Sequence, residues 1–357
     1  MSMYNIWKES VKLPNKSDLE QVKCERITIK PFEPNKDGYV FLHGVALAMF
    51  KGRMYCAWAH NKIRENSEDE EVNYSISDDN GRTWSKYILG NFASENGAAV
   101  SHGAFLVHDD ALYFFAPQFK GQLGKEMIKM NAYVFDEANE KFHYLGVALD
   151  ERFWPMCEPI LMENGNYIMA GIYVGSDYNA PENTAAVAIS HGSDLMHWDM
   201  VKLEYAEGVK VWGECSVIAN GSHIALYCRE HSKKFKALYS QSTDYGKSWS
   251  NLDLSNLPMI ESKPYAGTLS NGRRYLICSM AEDITSRNPL TIAITEPHDD
   301  KFCKLLCIDS GIEQSALSYP YAIEWDNKLY VAYSFSTEGY NRNSAELAII
   351  DLDDLKV

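Results

Sequence analysis

The sequence predicts an all-β chain folded as a six-bladed β-propeller, because two patterns recur along it with a similar period. The first is an eight-residue turn motif, S-x-D-x-G-x-[ST]-W, which occupies residues 77–84 and returns at residues 242–249, with a degenerate copy at 190–198. Asp favours a tight turn by accepting bonds from nearby backbone N–H groups, and Gly favours it by adopting positive φ. Copies of so constrained a pattern indicate a repeat protein.

The second pattern is a longer unit, in which a small or polar cluster precedes an apolar strand, a turn and a second apolar strand. Six units open, at spacings of 59, 56, 56, 49 and 56 residues, at His43, His102, Glu158, Glu214, Lys263 and Tyr319. Aromatic residues close the outer turns, at spacings of 58, 56, 51 and 53 residues, at Trp84, Phe142, Trp198, Trp249 and Phe302. Units of this length, with about four short strands each, are typical of propeller blades.

The six units fill the chain as a single domain, residues 1–357, with blades that start near 40, 99, 155, 211, 262 and 317. The last unit contains only three obvious strands, at 318–325, 328–335 and 345–351. Residues 24–30 alternate in the manner of a strand and belong to no unit of their own. We therefore predict that this N-terminal strand closes the last blade and removes an open sheet edge.

Composition limits the partners and the compartment. The net charge of −15 argues against nucleic acid or an anionic membrane as the main partner. No apolar run approaches the roughly 18 residues of a membrane span, and the first residues lack the order of a secretory signal. Most of the eight cysteines lie in apolar, strand-like runs without a Cys-x-x-Cys pair. We expect free thiols in a reducing cytoplasm, with no metal and no cofactor.

The six unit openers occupy the same phase of successive blades, so we expect them to converge around the central channel. The resulting ring would hold two His, two Glu, one Lys and one Tyr. Titratable groups that converge in a concave site are typical of an active site. Each opener also has a structural alternative: the two histidines can bond backbone at strand ends, Glu158 can pair with Arg152, and Lys263 can pair with Glu261.

The turn motifs, the six units and the run Glu-x-Ser-Val-Ile at residue 214 resemble the sialidase (neuraminidase) superfamily with its BNR or Asp-box repeats, over residues 40 to 350. This resemblance implies that Tyr319 is a nucleophile, that Glu214 activates it, and that Arg229 and Arg287 bind the carboxylate of the substrate. The sequence departs from the family where His43 stands in place of the first clamp arginine. The family's acid/base Asp would fall in the acidic segment 65–71, which we interpret as a solvated loop.

A second, partial resemblance concerns ulvan lyases and rhamnose–glucuronate-cleaving propeller enzymes, which look seven-bladed and longer. This resemblance rests on the His-Gly pairs at 43 and 102, His60-Asn61, and residues 153–159 and 318–321. It implies cleavage of a glycosidic bond at or near an acidic sugar.

Three functions fit these residues. In a glycoside hydrolase, Glu214 would activate Tyr319, and Glu158, His43 or His102 would protonate the leaving oxygen. In a lyase acting on uronates, Arg229 or a histidine would neutralise the carboxylate, His102 would remove the C5 proton and Tyr319 would protonate the leaving group. The third function is non-catalytic binding of carbohydrate or protein.

We expect a carbohydrate substrate, and the sequence leaves the oligomeric state open. The candidate substrate-binding residues are Arg229, Arg287, Lys263, Asn61 and Trp154. Tyr178 and Trp212, like Trp154, can stack on sugar faces or belong to the core. Arg342 repeats the sequence context of Arg287 one blade later, so both arginines can also be structural.

Overall fold

The computed structural model describes residues 4–120, 127–176, 180–337 and 343–357, which form six β-sheets arranged as the blades of a propeller. The predicted fold class is confirmed. The first strands of neighbouring blades contact one another between blades 1 and 2, 4 and 5, 5 and 6, and 6 and 1, which places them around the central channel. Within these ranges, no helix is long and apolar enough to span a membrane.

The chain begins with short elements that precede the first blade: a 3₁₀ turn (Lys16–Asp18), β1 (Glu20–Gln21), β2 (Cys24–Lys30) and helix α1 (Pro34–Asp37). Two further 3₁₀ turns are found at Glu95–Gly97 and Leu352–Leu355.

The first three blades are consecutive in the chain. Blade 1 consists of β3 (Phe41–Phe50), β4 (Arg53–Asn61), β5 (Glu71–Ser77) and β6 (Ile88–Leu89). Blade 2 consists of β7 (Ala99–Val100), β8 (Ala104–His108), β9 (Ala111–Phe119), β10 (Lys129–Asp136) and β11 (Lys141–Leu149). Blade 3 consists of β12 (Phe153–Pro155), β13 (Ile160–Leu161), β14 (Tyr167–Tyr173), β15 (Thr184–His191) and β16 (Asp194–Lys202).

The last three blades follow the same plan. Blade 4 consists of β17 (Val211–Asn220), β18 (His223–Glu230), β19 (Lys236–Ser242) and β20 (Asp253–Pro258). Blade 5 consists of β21 (Tyr265–Thr268), β22 (Arg274–Cys278), β23 (Leu290–Thr295) and β24 (Phe302–Asp309), with β1 added in parallel to β24. Blade 6 consists of β25 (Ala316–Trp325), β26 (Lys328–Ser336), β27 (Asn343–Asp351) and β2.

The N-terminal segment runs along the outer edges of blades 4 and 5 before it joins blade 6. Tyr4 bridges Ser255 of blade 4, and Trp7 bridges Phe302 of blade 5. Further on, β2 pairs antiparallel with β27, from Cys24 to Lys30. The predicted closure of the last blade by this strand is confirmed, and β27 is covered on both sides.

The two turn motifs form the same hydrogen-bond network. In the first, Gly81 N–H donates to Ser77 Oγ at 2.9 Å, while the N–H and Oγ1 of Thr83 donate to the two carboxylate oxygens of Asp79 at 2.8 and 2.7 Å. The second copy has the same bonds within 0.1 Å, among Ser242, Asp244, Gly246 and Ser248. Asp and the hydroxyl residues of the motif therefore stabilise the conformation of the turn, as their side-chain chemistry predicts.

Each turn motif also packs on the preceding blade through its glycine. A Cβ at Gly81 would lie 2.8 Å from Leu347 of blade 6, and a Cβ at Gly246 would lie 2.8 Å from Ile168 of blade 3. Both glycines have φ near +80°. The motif thus needs glycine for backbone conformation and for close packing between blades.

The closing strand is tested by comparing a chain that begins at residue 23 with one that begins at residue 31. Only the longer of the two retains β2. We expect the shorter chain to unfold at a lower urea concentration and to aggregate, because β27 then presents an open edge. Urea denaturation and light scattering measure both effects. Equal midpoints for the two chains would contradict a closing role for β2.

Candidate active site

The innermost strands depart from regular pairing at one level of the channel. Their register breaks lie between His43 and Ala46 in β3, Val211 and Cys215 in β17, and Ser318 and Tyr321 in β25. In blades 2 and 3 the strand is split, with residues 101–103 and 156–159 between its halves. Bulges re-aim side chains that would otherwise alternate along a strand. Here they collect polar groups at the channel.

The centre of this region is a bonded group from blades 4 and 6. The Tyr319 hydroxyl donates to Oε1 of Glu214, and Arg229 donates from a terminal nitrogen to Oε2 of the same carboxylate at 2.8 Å. Glu214 is 2% exposed. Burial favours the neutral form of Glu214, but the Arg229 charge and the Tyr319 bond outweigh it, so the pKa of Glu214 is lowered. Glu214 is an ionised base in contact with a phenol.

The backbone around this group is strained. Tyr319 has φ of 55°, in the left-handed region that side chains other than Gly and Asn rarely adopt, and Gly213 has φ of 102°. A Cβ at Gly213 would lie 2.7 Å from the carbonyl oxygen of Thr184. Strained conformations of this kind persist where the surrounding structure fixes a functional side chain.

Two buried histidines stand beside Tyr319. The His43 ring centroid lies 3.6 Å from that of Tyr319, and the His102 centroid lies 6.0 Å from it. Burial lowers the pKa of His43 well below 6.5 and that of His102 to about 3, with nearby positive groups adding to the effect. Both imidazoles are neutral at pH 7. A Cβ at Gly44 would meet the His102 ring at 2.1 Å, so the His-Gly pair lets the two rings approach.

A loop between β4 and β5 brings an additional carboxylate to the site. Oε1 of Glu65 lies 3.5 Å from Nε2 of His43. The buried Asn61 fixes this loop, because its amide donates to Ser67 and to Glu70 Oε2 at 3.1 and 2.9 Å. The same Glu70 oxygen accepts from the N–H of Asn66 at 2.8 Å. The expectation of a solvated loop is therefore wrong for Glu70, which is buried, whereas Glu65 remains partly exposed beside the cavities.

Two adjoining cavities surround Tyr319. The smaller has a volume of about 470 Å³, including its opening to solvent, and its walls include His102, Trp154 and Glu214. The larger has a volume of about 1800 Å³ on the same basis and contains Arg229 and Arg287. Four residues line both cavities: His43, Glu65, Trp212 and Tyr319. The polar group at the channel thus faces a continuous space large enough for a sugar.

Four of the six unit openers line these cavities, and Lys263 does not. Lys263 is 2% exposed, and its Nζ donates to the carbonyl oxygen of Pro320 at 3.1 Å. Burial lowers its pKa from 10.5. The amine therefore lies beneath the backbone that carries Tyr319, where it can fix that backbone.

Glu158 lies apart from the other openers. It lines a separate cavity together with Thr268 and Glu324, and Oε1 accepts from the Tyr265 hydroxyl at 2.5 Å. Burial raises its pKa. Blade 3 has a four-residue interruption, 156–159, between its two inner strands, and this displaces Glu158 along the channel.

The remaining candidate binding residues divide into two groups. Arg287 lines the larger cavity, with its guanidinium carbon 6.0 Å from the Tyr319 ring centroid and two bonds to the carbonyl oxygen of Glu261. Trp154 lines the smaller cavity, 5.5 Å from the His102 ring centroid. Asn61 is fully buried under the loop and lines neither cavity.

Two residues considered from the sequence, Tyr178 and Arg342, lie outside the described ranges. Glu65 lines both cavities although sequence reasoning gave it no site role, and Trp212, considered for stacking on a sugar, lines both cavities as well. The signal for Glu65 was its place on the loop after the second strand of blade 1, where connections open on the same mouth as the unit openers. Across the described part of the chain, no cluster of three or more His, Cys, Asp or Glu side chains could hold a metal ion.

The neutral histidines predict a pH-dependent stability. An unfolded histidine titrates near 6.5, whereas His102 folds with a pKa of about 3, so the unfolded state binds more protons as pH falls through this window. We expect the free energy of unfolding to decrease below pH 6.5. His102→Asn should reduce that dependence by about 1.4 kcal/mol per pH unit.

Urea denaturation at a series of pH values measures this slope. His223→Asn, which removes an exposed histidine, is the matched control and should leave the slope unchanged. A His102→Asn protein with the wild-type slope would show that His102 is not a buried neutral imidazole.

Comparisons with known proteins support the interpretation of the fold. Residues 155–331 match a family described as a BNR repeat-like domain. Among curated proteins, none matches the sequence. A protein of unknown function from Dyadobacter fermentans DSM 18053 has a similar structure, with a TM-score of 0.72 and 15% identity, over 92% of this chain and 99% of that one.

Two sialidase structures are also similar. Trypanosoma rangeli sialidase, in complex with 2,3-difluorosialic acid as a covalent intermediate, has a TM-score of 0.69 and 15% identity over 94% of this chain and 60% of its own. Leech intramolecular trans-sialidase, complexed with 2,7-anhydro-Neu5Ac, has a TM-score of 0.69 and 11% identity over 92% of this chain and 71% of its own. At these identities the likeness concerns the fold. With the BNR repeat-like match at residues 155–331, it supports the resemblance in fold to sialidases that the repeats predict.

Proposed function

We propose that the chain is a glycoside hydrolase that cleaves a glycosidic bond at or near an acidic sugar. The observation that carries this proposal is the bond from the Tyr319 hydroxyl to Glu214, a carboxylate that Arg229 holds in its ionised form. A phenol in contact with a base, at a cavity wall, is an activated nucleophile. A neutral phenol also suits a substrate whose anomeric centre bears a carboxylate, because it avoids repulsion between two anions.

The proposed reaction has two balanced steps. In the first, Tyr319 Oη bonds to the anomeric carbon as its proton passes to Glu214, and the glycosidic C–O bond breaks while an acid protonates the leaving oxygen. In the second, water attacks the anomeric carbon and gives a proton to the conjugate base of that acid. The bond from Tyr319 to the sugar breaks as the water bonds, and Tyr319 recovers its proton from Glu214.

Glu65 is the group that best fits the role of the acid. Its carboxyl group, which carries a proton in this role, faces the cavities and lies 3.5 Å from Nε2 of His43. The side chain is 32% exposed, so a substrate can reach it. The other candidates fit less well. His43 and His102 are neutral at pH 7 because burial lowers their pKa values, and Glu158 faces a different cavity.

The substrate carboxylate is proposed to bind near Arg287. Arg229 is engaged with Glu214. The resemblance to sialidases implies that His43 stands where that family has its first clamp arginine. Fewer guanidinium groups therefore face the substrate than in a three-arginine clamp. We expect contacts to other groups of the acidic sugar to contribute more to binding than they do in such a clamp. A carbohydrate ligand is also supported by Trypanosoma rangeli sialidase, a structurally similar protein that binds a sialic acid derivative.

A uronate lyase is the second candidate, and the neutral buried His102 beside Tyr319 favours it. A neutral imidazole can remove a proton from C5, and a phenol can protonate the leaving oxygen. The products distinguish the two reactions, since the summed product masses exceed the substrate by one water only after hydrolysis.

We also propose a cytoplasmic location. The eight cysteines support it, since all of them are free thiols.

The nucleophile and base are tested with labelled sialosides, rhamnosides and uronate-containing oligosaccharides, with intact-mass detection of products. We expect Tyr319→Phe and Glu214→Gln each to lower kcat about 10²- to 10⁴-fold, because each removes a proton-transfer partner. Tyr245→Phe, in the turn motif of blade 4, is the control and should retain activity. Unchanged turnover of every cleaved glycan by both variants would refute the mechanism.

The acid is tested by leaving-group dependence. Glu65→Gln should lower kcat on a natural glycoside about 10²- to 10⁴-fold and should lower it far less on a 4-nitrophenyl glycoside of the same sugar, whose leaving group needs no proton. Glu68→Gln, on the same loop, is the control. Equal losses on both substrates would assign Glu65 a structural role.

A further inference from the structure

A cleft between blades 3 and 4 opens beside the two cavities and has no role in the proposed reaction. We call it the blade 3–4 cleft. Its volume is about 830 Å³ including its opening to solvent, and its walls comprise Ala180, Pro181, Asn183, Tyr205, Val209, Lys210, Val211, Trp212 and His231. Three of these residues, Tyr205, Val209 and Lys210, belong to the connection from β16 to β17, the strand that carries Glu214.

The cleft adjoins the proposed active site, because the two share wall residues. Trp212 lines the cleft and both cavities, Asn183 lines the cleft and the smaller cavity, and His231 lines the cleft and the larger cavity. The ring centroids of His231 and Trp212 lie 4.6 Å apart. A ligand bound at Tyr319 can therefore extend over Trp212 into the cleft.

The walls of the cleft have the chemistry that binds a sugar ring. Tyr205 is 38% exposed, and its hydroxyl donates to the carbonyl oxygen of Pro181 at 3.0 Å, which holds the ring in place. Pyranose rings present C–H faces that pack on aromatic and aliphatic surfaces, and hydroxyl groups that bond to polar side chains. Val209 adds apolar surface, and the exposed amine of Lys210 forms no ion pair with a described residue.

We propose that the blade 3–4 cleft is a second sugar-binding subsite, and that the chain binds oligosaccharides more tightly than simple glycosides. Tyr205 would stack on the additional sugar, and Lys210 would contact a hydroxyl or carboxylate group of it. This inference rests on the proposed function for the identity of the ligand. It defines the substrate class more narrowly, as a chain in which at least one sugar continues beyond the unit held at Tyr319.

The subsite is tested by binding, separately from turnover. In the Glu214→Gln background, affinities are measured by calorimetry for sialyl-, rhamnosyl- and uronate-containing oligosaccharides and for the corresponding monosaccharides. We expect at least one oligosaccharide to bind about 5- to 10-fold more tightly than its monosaccharide. Tyr205→Ala should abolish that gain and leave the affinity for the monosaccharide unchanged, whereas Tyr205→Phe should retain most of it.

Trp325→Ala, which removes an exposed aromatic residue of the β25–β26 hairpin, is the matched control. A gain that survives Tyr205→Ala, equal affinities for short and long glycans, or no binding of any glycan in the panel would each overturn the subsite. A Tyr205-dependent gain in a protein whose wild type cleaves none of these glycans would refute the hydrolase and leave the subsite standing. Tyr319→Phe provides a second background if Glu214→Gln does not fold.

Discussion

A ring of blades is complete only when its last member is joined to the rest, and here that junction is the pairing of β2 with β27. Each blade packs its apolar faces on two neighbours, so an unfinished sixth blade would leave blades 1 and 5 incompletely covered as well. The segment before β2 extends the junction, because Tyr4 and Trp7 attach the N-terminal region to blades 4 and 5. The residues that line the two cavities come from all six blades, and closure of the ring brings them together.

The candidate site combines several features that are unfavourable for stability. Glu214 and Arg229 are both buried, which costs desolvation energy that their mutual pairing offsets. Tyr319 adopts a left-handed backbone, and Lys263 is buried beneath it with a lowered pKa. Such costs are tolerated where function requires oriented charges in a site from which water is largely excluded. Their concentration at one end of one channel distinguishes this region from the regular sheets around it.

Much of the fold could be predicted from the sequence, because it depends on local turn chemistry repeated at a fixed period. The turn motifs at Asp79 and Asp244 indicate that period. The strand at residues 24–30 belongs to no unit of its own, so the incomplete last blade was its predicted position. The site was less predictable. The period aligned His43, His102, Glu214 and Tyr319 correctly, but the same alignment placed Glu158 with them. A four-residue interruption in the inner strand of blade 3 breaks the phase there, and sequence spacing does not reveal it. The acidic run was misleading for another reason: charge predicts exposure, whereas Asn61 and Asn66 bind Glu70 in the interior and so present Glu65 to the cavity.

The contact between Tyr319 and Glu214 joins blades 6 and 4, which are not neighbours. The reach of these two side chains must therefore match the width of the channel, and channel width increases with the number of blades. Insertion of a seventh blade would move the inner strands outward and separate the phenol from the carboxylate without altering either residue. The number of blades therefore sets the distance between these two side chains. Propellers with wider rings would need longer side chains, a bridging loop or a different pair of residues to build an equivalent site.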